Sequence, residues 1–219
     1  MTGHGARLMI DARDRIGVRV VEVSRYLHER GLTHGSTGNV SVRVGDEIVV
    51  TPTGRSLRTL EVADLAIIGL NGEMRSESKP SKEATLHAAV FRARPTATAV
   101  IHTHSLFSTA VSCLRDIDES DALTPLTAYY AMRVGTLPVV PYFPPGDPEL
   151  AARAGLVAEG NHAMLLRNHG PVVAGRDLDH ALDVLEELEQ TAQLSLLLQG
   201  HKTLPLRPGA ARRLHPTDD

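Results

Sequence analysis

The chain has 219 residues, 42% of them hydrophobic, which is enough to bury the core of one sizeable domain. Its net charge of -3 and its three Phe, four Tyr and no Trp provide neither the basic surface nor the stacking platforms that nucleic acids need. No apolar run approaches the ~20 residues of a membrane span, no signal-peptide pattern begins the chain, and the lone Cys113 cannot form an internal disulfide, so we expect a cytoplasmic protein without a membrane partner.

The first predicted element is an amphipathic helix from about Ala12 to Arg30. Its apolar positions recur at helical spacing with Arg and Glu between them: Ile16, Val20, Val23 and Leu27. Residues 1–11 and the tail 205–219 are weakly patterned, and we expect both to be mobile.

Two loops rich in glycine and hydroxyl side chains flank a predicted hairpin. The first is Gly35-Ser36-Thr37-Gly38-Asn39, and the second, Thr51-Pro52-Thr53-Gly54, follows the return strand that begins at Glu47. Such loops are often plain flexible turns. They can also bind an anion, because small residues let backbone N–H groups approach a phosphate while hydroxyls and the Asn amide donate hydrogen bonds. A hairpin returns the chain to its start, so the two loops could share one phosphate.

A third polar segment follows the strand predicted over residues 65–70. Ser81 has the character of a helix N-cap, and the helix is predicted to run from Lys82 to about Arg92. Glu83 therefore falls in the first helical turn. A carboxylate there could serve chemistry or could simply stabilise the helix dipole.

Histidines end two predicted buried strands. His102 and His104 follow Ala99 at alternate positions, which would place both imidazoles on one face of a strand, and His169 follows the apolar run 163–166. A His-x-His pair alone is a weak signal. Together with Glu83, however, these segments offer one carboxylate and three imidazoles, a set suited to Zn²⁺ or to another divalent ion such as Mn²⁺ or Co²⁺.

The remaining segments alternate between helical and strand patterns. Cys113 lies in the helix predicted over 106–114, and we expect it to be a small buried hydrophobic side chain. The other predicted elements are a proline-limited strand over 137–142, a helix over 149–159, a strand continuation over 172–175 and a long amphipathic helix over 178–198. This interleaving predicts a single domain of the α/β or α+β class around a mixed sheet.

The combined motifs resemble the class II aldolase/adducin family from Ile16 to Leu198. They are Gly-x-x-Gly-Asn-x-Ser at 35–41, Thr-Pro-x-Gly at 51–54, Pro-Ser-x-Glu at 80–83, and the three histidines. The resemblance implies a three-layer, class II aldolase-like domain, with a central mixed, mainly antiparallel sheet flanked by helices. It also implies a metal held by His102, His104 and His169, with Glu83 as acid/base and as a further ligand when substrate is absent.

The same resemblance implies the substrate contacts. The phosphate site would use Ser36, Thr37, Gly38, Asn39, Thr53, Gly54 and Ser81. Within the family, the branch of 3-oxo-tetronate 4-phosphate decarboxylases is most similar, on the stretch 125–147 and on Lys79-Pro80-Ser81-Lys82-Glu83. Aldolases of the family usually have a second Ser where this chain has Lys82, and a cation beside the metal suits a substrate with a carboxylate as well as a phosphate.

The expected activity is that of a zinc-dependent carbon–carbon lyase with one ion per subunit. It would convert a 3-oxo-tetronate 4-phosphate to dihydroxyacetone phosphate and CO₂ through a metal-bound enediolate. Protonation by Glu83 would need a pKa raised by burial, or a proton taken earlier. An aldolase, epimerase or dehydratase acting on another phosphorylated sugar, such as fuculose 1-phosphate, is the main alternative. A non-enzymatic adducin-like module is a more distant one, because every ligand is present.

The resemblance also implies a homotetramer with active sites at subunit interfaces. A tyrosine of the resembling aldolases reaches the neighbouring subunit's metal site as proton donor. Tyr129 has the matching spacing from Pro125, with Tyr130 as a competitor. Plain interface packing by the two tyrosines is the alternative interpretation. The eight other histidines are expected to be exposed or structural.

Overall fold

Seven strands lie side by side in one sheet. The computed structural model describes residues 3–215, with side chains from residue 13 onward. The strands are β1 (Asn39–Val44), β2 (Glu47–Val50), β3 (Ala66–Gly69), β4 (Ala99–His102), β5 (Val139–Val140), β6 (Ala163–Leu166) and β7 (Gly170–Gly175). Their order is β3-β2-β1-β4-β7-β6-β5, and only β5 and β6 pair in parallel. The mixed, mainly antiparallel sheet is thereby confirmed.

Helices cover both faces of this sheet. They are α1 (Gly3–Glu29), α2 (Ala84–Ala93), α3 (Leu106–Ser112), α4 (Ala128–Arg133), α5 (Pro148–Ala158), α6 (Leu178–Leu197) and α7 (Pro208–Leu214). Alternation along β4 shows how the layers form: Ala99 and Ile101 pack into a core with α1 and α6, whereas Val100 packs into a second core with α2 and α5. The three-layer arrangement is therefore confirmed.

Several predicted element boundaries differ from the observed ones. Helix α1 begins at Gly3 rather than near Ala12, in line with the high helix propensity of the Ala, Leu and Met residues that precede Asp11. The proline-limited strand shrinks to β5, because Pro141 has no N–H with which to continue a ladder. The tail contains α7, which the sequence analysis did not predict; Ala211 in this helix is buried.

Cys113 corrects another expectation. The structure places it at the end of α3 with an exposed side chain, not in the core. The buried positions of that short helix are Ser108, Val111 and Ser112 instead. Across the described residues, no helix combines the length and apolar character needed to cross a membrane.

The three central strands, β1, β4 and β7, each have an end at the same place on the sheet. Asn39 at the start of β1 pairs with His102 at the end of β4, and His102 pairs on its other side with Val172 of β7. The turn that leads into β7 therefore lies beside the end of β4. Glu83, at the start of α2, reaches the same place from the face that α2 covers.

Candidate metal centre and substrate cavity

Four potential metal ligands converge at this shared end of the central strands. Nε2 of His102 lies 3.2 Å from Oε2 of Glu83, and Nε2 of His169 lies 3.3 Å from Oε1 of the same carboxylate. Nε2 of His104 is 3.1 Å from Nε2 of His169. The four ligand atoms all lie within 4.8 Å of one another. This is the donor set inferred from the sequence, brought together by segments up to 86 residues apart in the chain.

The structure positions the two neighbouring histidines in different ways. His102 is the last residue of β4, so sheet pairing fixes it on the side of Val100, facing α2. His104 lies beyond the strand, which corrects the interpretation that both occupy one strand. The chain nevertheless returns His104 to the same side, and the two ring centroids are 5.0 Å apart.

The side chains fit a metal ion. Nδ1 of His102 lies 2.8 Å from the carbonyl oxygen of Pro171 and can donate its proton there, which leaves Nε2 with a lone pair directed at the cluster. Nε2 of His102 and Oε1 of Glu83 are buried and have no hydrogen-bond partner among the described residues. Unpartnered buried polar atoms are costly, and a cation between them would remove that cost.

Burial and charge compete at Glu83. Burial alone would raise its pKa, but the neighbouring His102 and His169 and the amide of Asn39 outweigh burial and hold the pKa of Glu83 well below its usual range. The pKa of His102 is raised, because the attraction of Glu83 and the Pro171 carbonyl exceeds the effect of burial. Glu83 is therefore a carboxylate in this structure, so of the two routes considered from the sequence, a pKa raised by burial or a proton taken earlier, the lowered pKa favours the second.

His104 and His169 carry neutral imidazoles near pH 7. Burial and the charges of His102 and His169 lower the pKa of His104 to about 3, and burial and His102 lower the pKa of His169 to about 4. Neutral imidazoles are the form that binds metal ions.

Two hydrogen bonds connect α2 to β1 beside the cluster. Nδ2 of Asn39 donates to Oε2 of Glu83 at 2.9 Å, and one residue pair along, the Ser41 hydroxyl lies 2.6 Å from Nδ1 of His87. Asn39 and Ser41 share one face of the strand, as Glu83 and His87 share one side of the helix start. The sequence analysis missed these two hydrogen bonds between β1 and α2, although the alternate spacing of Asn39 and Ser41 could have indicated that both face the same element.

The predicted phosphate-binding residues line a single cavity. Its volume is about 260 Å³, and its walls contain Glu83, His104 and His169 together with every residue assigned to the phosphate loops and Lys82: Ser36, Thr37, Gly38, Asn39, Thr53, Gly54, Ser81 and Lys82. Pro145, which the sequence analysis did not assign, also lines it. Candidate metal ligands and candidate phosphate loops therefore face the same space.

Backbone hydrogen bonds hold the loops around this cavity. Thr51 joins the second loop to β1, directly after the first loop, because its N–H donates to the carbonyl of Val40 and its hydroxyl accepts from the N–H of Val40. The second loop is joined to the start of α2 by the N–H of Ser81, which donates to the carbonyl of Thr51 at 3.0 Å. Gly38 has φ 79°, and a Cβ there would lie 3.1 Å from the carbonyl oxygen of His102. Only glycine therefore lets the first loop pass this close to the end of β4.

Some predicted side chains have other contacts than those expected. Thr37 both donates to and accepts from the backbone of His34, so its hydroxyl braces the first loop. Glu83 is the N-cap residue of α2 rather than part of its first turn, and its N–H donates to the Ser81 hydroxyl at 3.3 Å.

The two tyrosines lie apart from the cavity of their own chain. Tyr130 is fully buried in the core that α1 and α6 share, so its side chain is not presented to substrate. Tyr129 is 61% exposed, with the Arg133 guanidinium 5.7 Å from its ring centroid. Of the pair, Tyr129 is the one available to another molecule.

Comparisons with known proteins agree with this geometry. The family model described as the class II aldolase and adducin N-terminal domain matches residues 18–196. A 3-oxo-tetronate 4-phosphate decarboxylase of Haemophilus influenzae is 46% identical over 184 residues, which cover 84% of this chain and 88% of that protein. An L-fuculose phosphate aldolase of Methanococcus maripaludis is 36% identical over 83% of this chain and 97% of that protein.

A solved structure extends the likeness to the fold. The crystal structure of YgbL from Klebsiella pneumoniae, whose description leaves open the choice between aldolase, epimerase and decarboxylase, superposes with a TM-score of 0.90. It is 39% identical, and the match covers 93% of this chain and 99% of that one.

Proposed function

The chain belongs to the class II aldolase and adducin N-terminal domain family, and on that premise we propose that it is a metal-dependent lyase that decarboxylates a 3-oxo-tetronate 4-phosphate to dihydroxyacetone phosphate and CO₂. The observation that carries this proposal is the single cavity lined by Glu83, two of the histidines, the Gly/hydroxyl loops and Lys82. The 46% identity to a decarboxylase of that name favours this reaction over the others of the family.

Glu83, His102, His104 and His169 would hold the metal ion. Zinc suits a set of three imidazoles and a carboxylate, with Mn²⁺ and Co²⁺ as alternatives. Once bound, a divalent ion supplies positive charge that stabilises the negative charge developing on the substrate oxygens. His104 and His169 are neutral, so they would bind the ion through lone pairs without cancelling its positive charge.

The loops and Lys82 would bind the two anionic ends of the substrate. Backbone N–H groups next to Gly38 and Gly54 can approach a phosphate closely, and the hydroxyls of Ser36, Thr53 and Ser81 line the same wall. Lys82 adds a cation adjacent in sequence to Glu83. A substrate with a carboxylate at one end and a phosphate at the other matches this distribution of donors.

Glu83 would move the proton that the reaction needs. Loss of CO₂ from a 3-oxo acid leaves an enediolate, which must take up a proton at the carbon that carried the carboxylate. Because Glu83 is a carboxylate before substrate binds, it must first accept a proton, for which the hydroxyl on C2 is suitable. It can then return that proton to C2, while solvent reprotonates the oxygen.

We further propose a cytoplasmic homotetramer in which Tyr129 serves the site of a neighbouring subunit. The exposure of its side chain supports this role. A tyrosine hydroxyl delivered from outside would provide a second proton donor beside Glu83.

A direct assay tests the reaction. Protein purified without chelator, with its metal identified by elemental analysis, is incubated with a 3-oxo-tetronate 4-phosphate and separately with L-fuculose 1-phosphate. We expect CO₂ and dihydroxyacetone phosphate from the first, little aldehyde from the second, and loss of turnover after chelation with recovery on adding the metal back.

Release of aldehyde without CO₂ would favour the aldolase function, which the similarity to an L-fuculose phosphate aldolase makes the second candidate. Full turnover after complete removal of the metal would contradict the metal-dependent mechanism. A Lys82→Gln variant helps to separate the substrates, because it should raise KM for the sugar acid more than KM for a sugar phosphate without a carboxylate.

A further inference from the structure

A buried carboxylate on α6 binds the start of α3. Glu189 is only 8% exposed, and its Oε2 accepts hydrogen bonds from the Ser105 hydroxyl at 2.8 Å, the Ser108 N–H at 2.9 Å and the Ser108 hydroxyl at 2.6 Å. Its Oε1 accepts from the N–H of Phe107 at 2.8 Å. One carboxylate thus satisfies four donors.

Glu189 takes the place of the usual helix cap. Ser105 is the N-cap residue of α3, yet its side chain makes no capping hydrogen bond to its own helix. The first N–H groups of a helix carry partial positive charge and need acceptors. A carboxylate supplied by another helix therefore fixes where α3 begins, which a local serine would do less firmly.

Helix α3 contacts the two histidine-bearing segments that lie outside regular strands. His104 directly precedes Ser105, in the stretch between the end of β4 and the start of α3. The Thr109 hydroxyl donates to the carbonyl of His169 at 3.2 Å, and the N–H of Asn168 donates to the carbonyl of Ser112 at 3.3 Å. A shift of α3 would therefore move His104 through the chain and His169 through these hydrogen bonds.

We propose that Glu189 is a positioning residue of the metal centre. It anchors α3 so that Nε2 of His104 and Nε2 of His169 stay 3.1 Å apart, whereas pairing of β4 with β7 fixes the backbone of His102. This inference rests on the proposed metal-dependent function. It assigns a role in the site to a side chain that does not line the cavity and that no motif in the sequence marks.

The test compares Glu189→Gln with Glu186→Gln. A glutamine offers one acceptor oxygen, so its amide N–H₂ would face either the Phe107 N–H or the Ser108 donors and lose those bonds. Glu186 lies on the same helix, but its carboxylate is bound to Tyr26 and Arg30 at the surface. Zinc affinity is measured by competition with a chromophoric chelator, and ligand geometry by the visible absorption of the Co²⁺-loaded protein.

We expect Glu189→Gln to weaken zinc binding by about 10- to 100-fold and to change the Co²⁺ spectrum, with both quantities unchanged in Glu186→Gln. Ser108→Ala, which removes one donor and keeps the carboxylate, should shift both readouts in the same direction by less. It also serves if Glu189→Gln does not fold.

Wild-type zinc affinity and an unaltered Co²⁺ spectrum in Glu189→Gln, even with a lower melting temperature, would reduce Glu189 to a structural cap and overturn the proposal. If Glu189→Gln is unfolded, the same wild-type readouts in Ser108→Ala would overturn it. Failure of the wild-type protein itself to bind zinc or cobalt would instead overturn the metal centre, so the two failures are distinguishable.

Discussion

At the scale of single residues, Glu83 is the side chain that makes the most polar contacts with the other groups of the candidate site. Its carboxylate contacts His102, His169 and Asn39, and these contacts lower its pKa although the side chain is buried. A low pKa keeps this buried carboxylate deprotonated, which is the form that binds a cation. Asn39 has two contacts that bear on function: it lines the cavity, and its amide donates a hydrogen bond to Glu83.

Asn39→Ala should therefore act on turnover as well as on substrate binding. It removes a hydrogen bond to a charged group, worth about 1.5 to 3 kcal/mol, and frees the Glu83 carboxylate to rotate. We expect kcat to fall by about 10- to 100-fold, measured by steady-state CO₂ release. Asn71→Ala is the matched control, since Asn71 makes the same kind of bond to Glu73 at the surface. A rise in KM alone, with kcat intact, would make Asn39 a phosphate contact only.

At the scale of elements, the turn between β6 and β7 determines where His169 lies. Asn168 adopts a left-handed backbone with φ 56°, and Gly170 follows with φ 155°. A Cβ on Gly170 would overlap the carbonyl oxygen of Thr103, which belongs to the segment between His102 and His104. The close approach of these two backbones brings the histidines together, and glycine is required for it.

Gly170→Ala should accordingly lower both stability and metal affinity. The added methyl group must displace the Thr103 backbone, so we expect a loss of ~1 to 3 kcal/mol in the free energy of unfolding, and a melting temperature lower by about 2 to 4 °C for each kcal/mol. Differential scanning calorimetry of the metal-free and metal-loaded protein gives both quantities. Gly160→Ala provides the control, because nothing lies within 4 Å of a Cβ at that position. Equal melting temperatures for Gly170→Ala and wild type would contradict this account.

At the scale of the whole molecule, the site is open toward solvent and its proposed second proton donor is not part of the same chain's cavity. Tyr129 lies in the first turn of α4 and is exposed, while Tyr130, one residue on, is packed in the core. Because the buried Tyr130 anchors this helix in the core, the helix can hold the exposed ring of Tyr129 rigidly against a partner. The proposed tetramer would thus complete each site with a residue from a neighbour.

Tyr129→Phe tests this at the level of the assembly. If the hydroxyl is a general acid, kcat should fall by ~10²-fold or more, while metal content and the oligomeric state measured by light scattering stay unchanged. Subunit exchange with an inactive Glu83→Gln protein should restore activity above that of either parent, because some mixed sites regain both groups. Activity that stays flat across mixing ratios, with exchange verified by mass spectrometry, would mean that Tyr129 acts within its own chain or not at all.

Much of the fold and the residues of the candidate site could be proposed from the sequence. Helical and strand periodicity arises from contacts between near neighbours, so it indicated α2, α6 and the buried strands before β7 without knowledge of their packing. Motifs did the same for chemistry, because a metal ligand or phosphate loop needs particular residue types at fixed spacing. His102, His104, His169 and Glu83 were found in this way.

Only the tertiary structure decided which distant polar groups meet. The bond from Asn39 to Glu83 spans 44 residues, and the bonds that Glu189 receives span 81 to 84. Such contacts depend on strand order and on how helices cross the sheet, which local periodicity does not contain. The charge state of Glu83 stayed open at the level of sequence for the same reason: burial could be anticipated from one segment, whereas the imidazoles and amide that outweigh it come from three others.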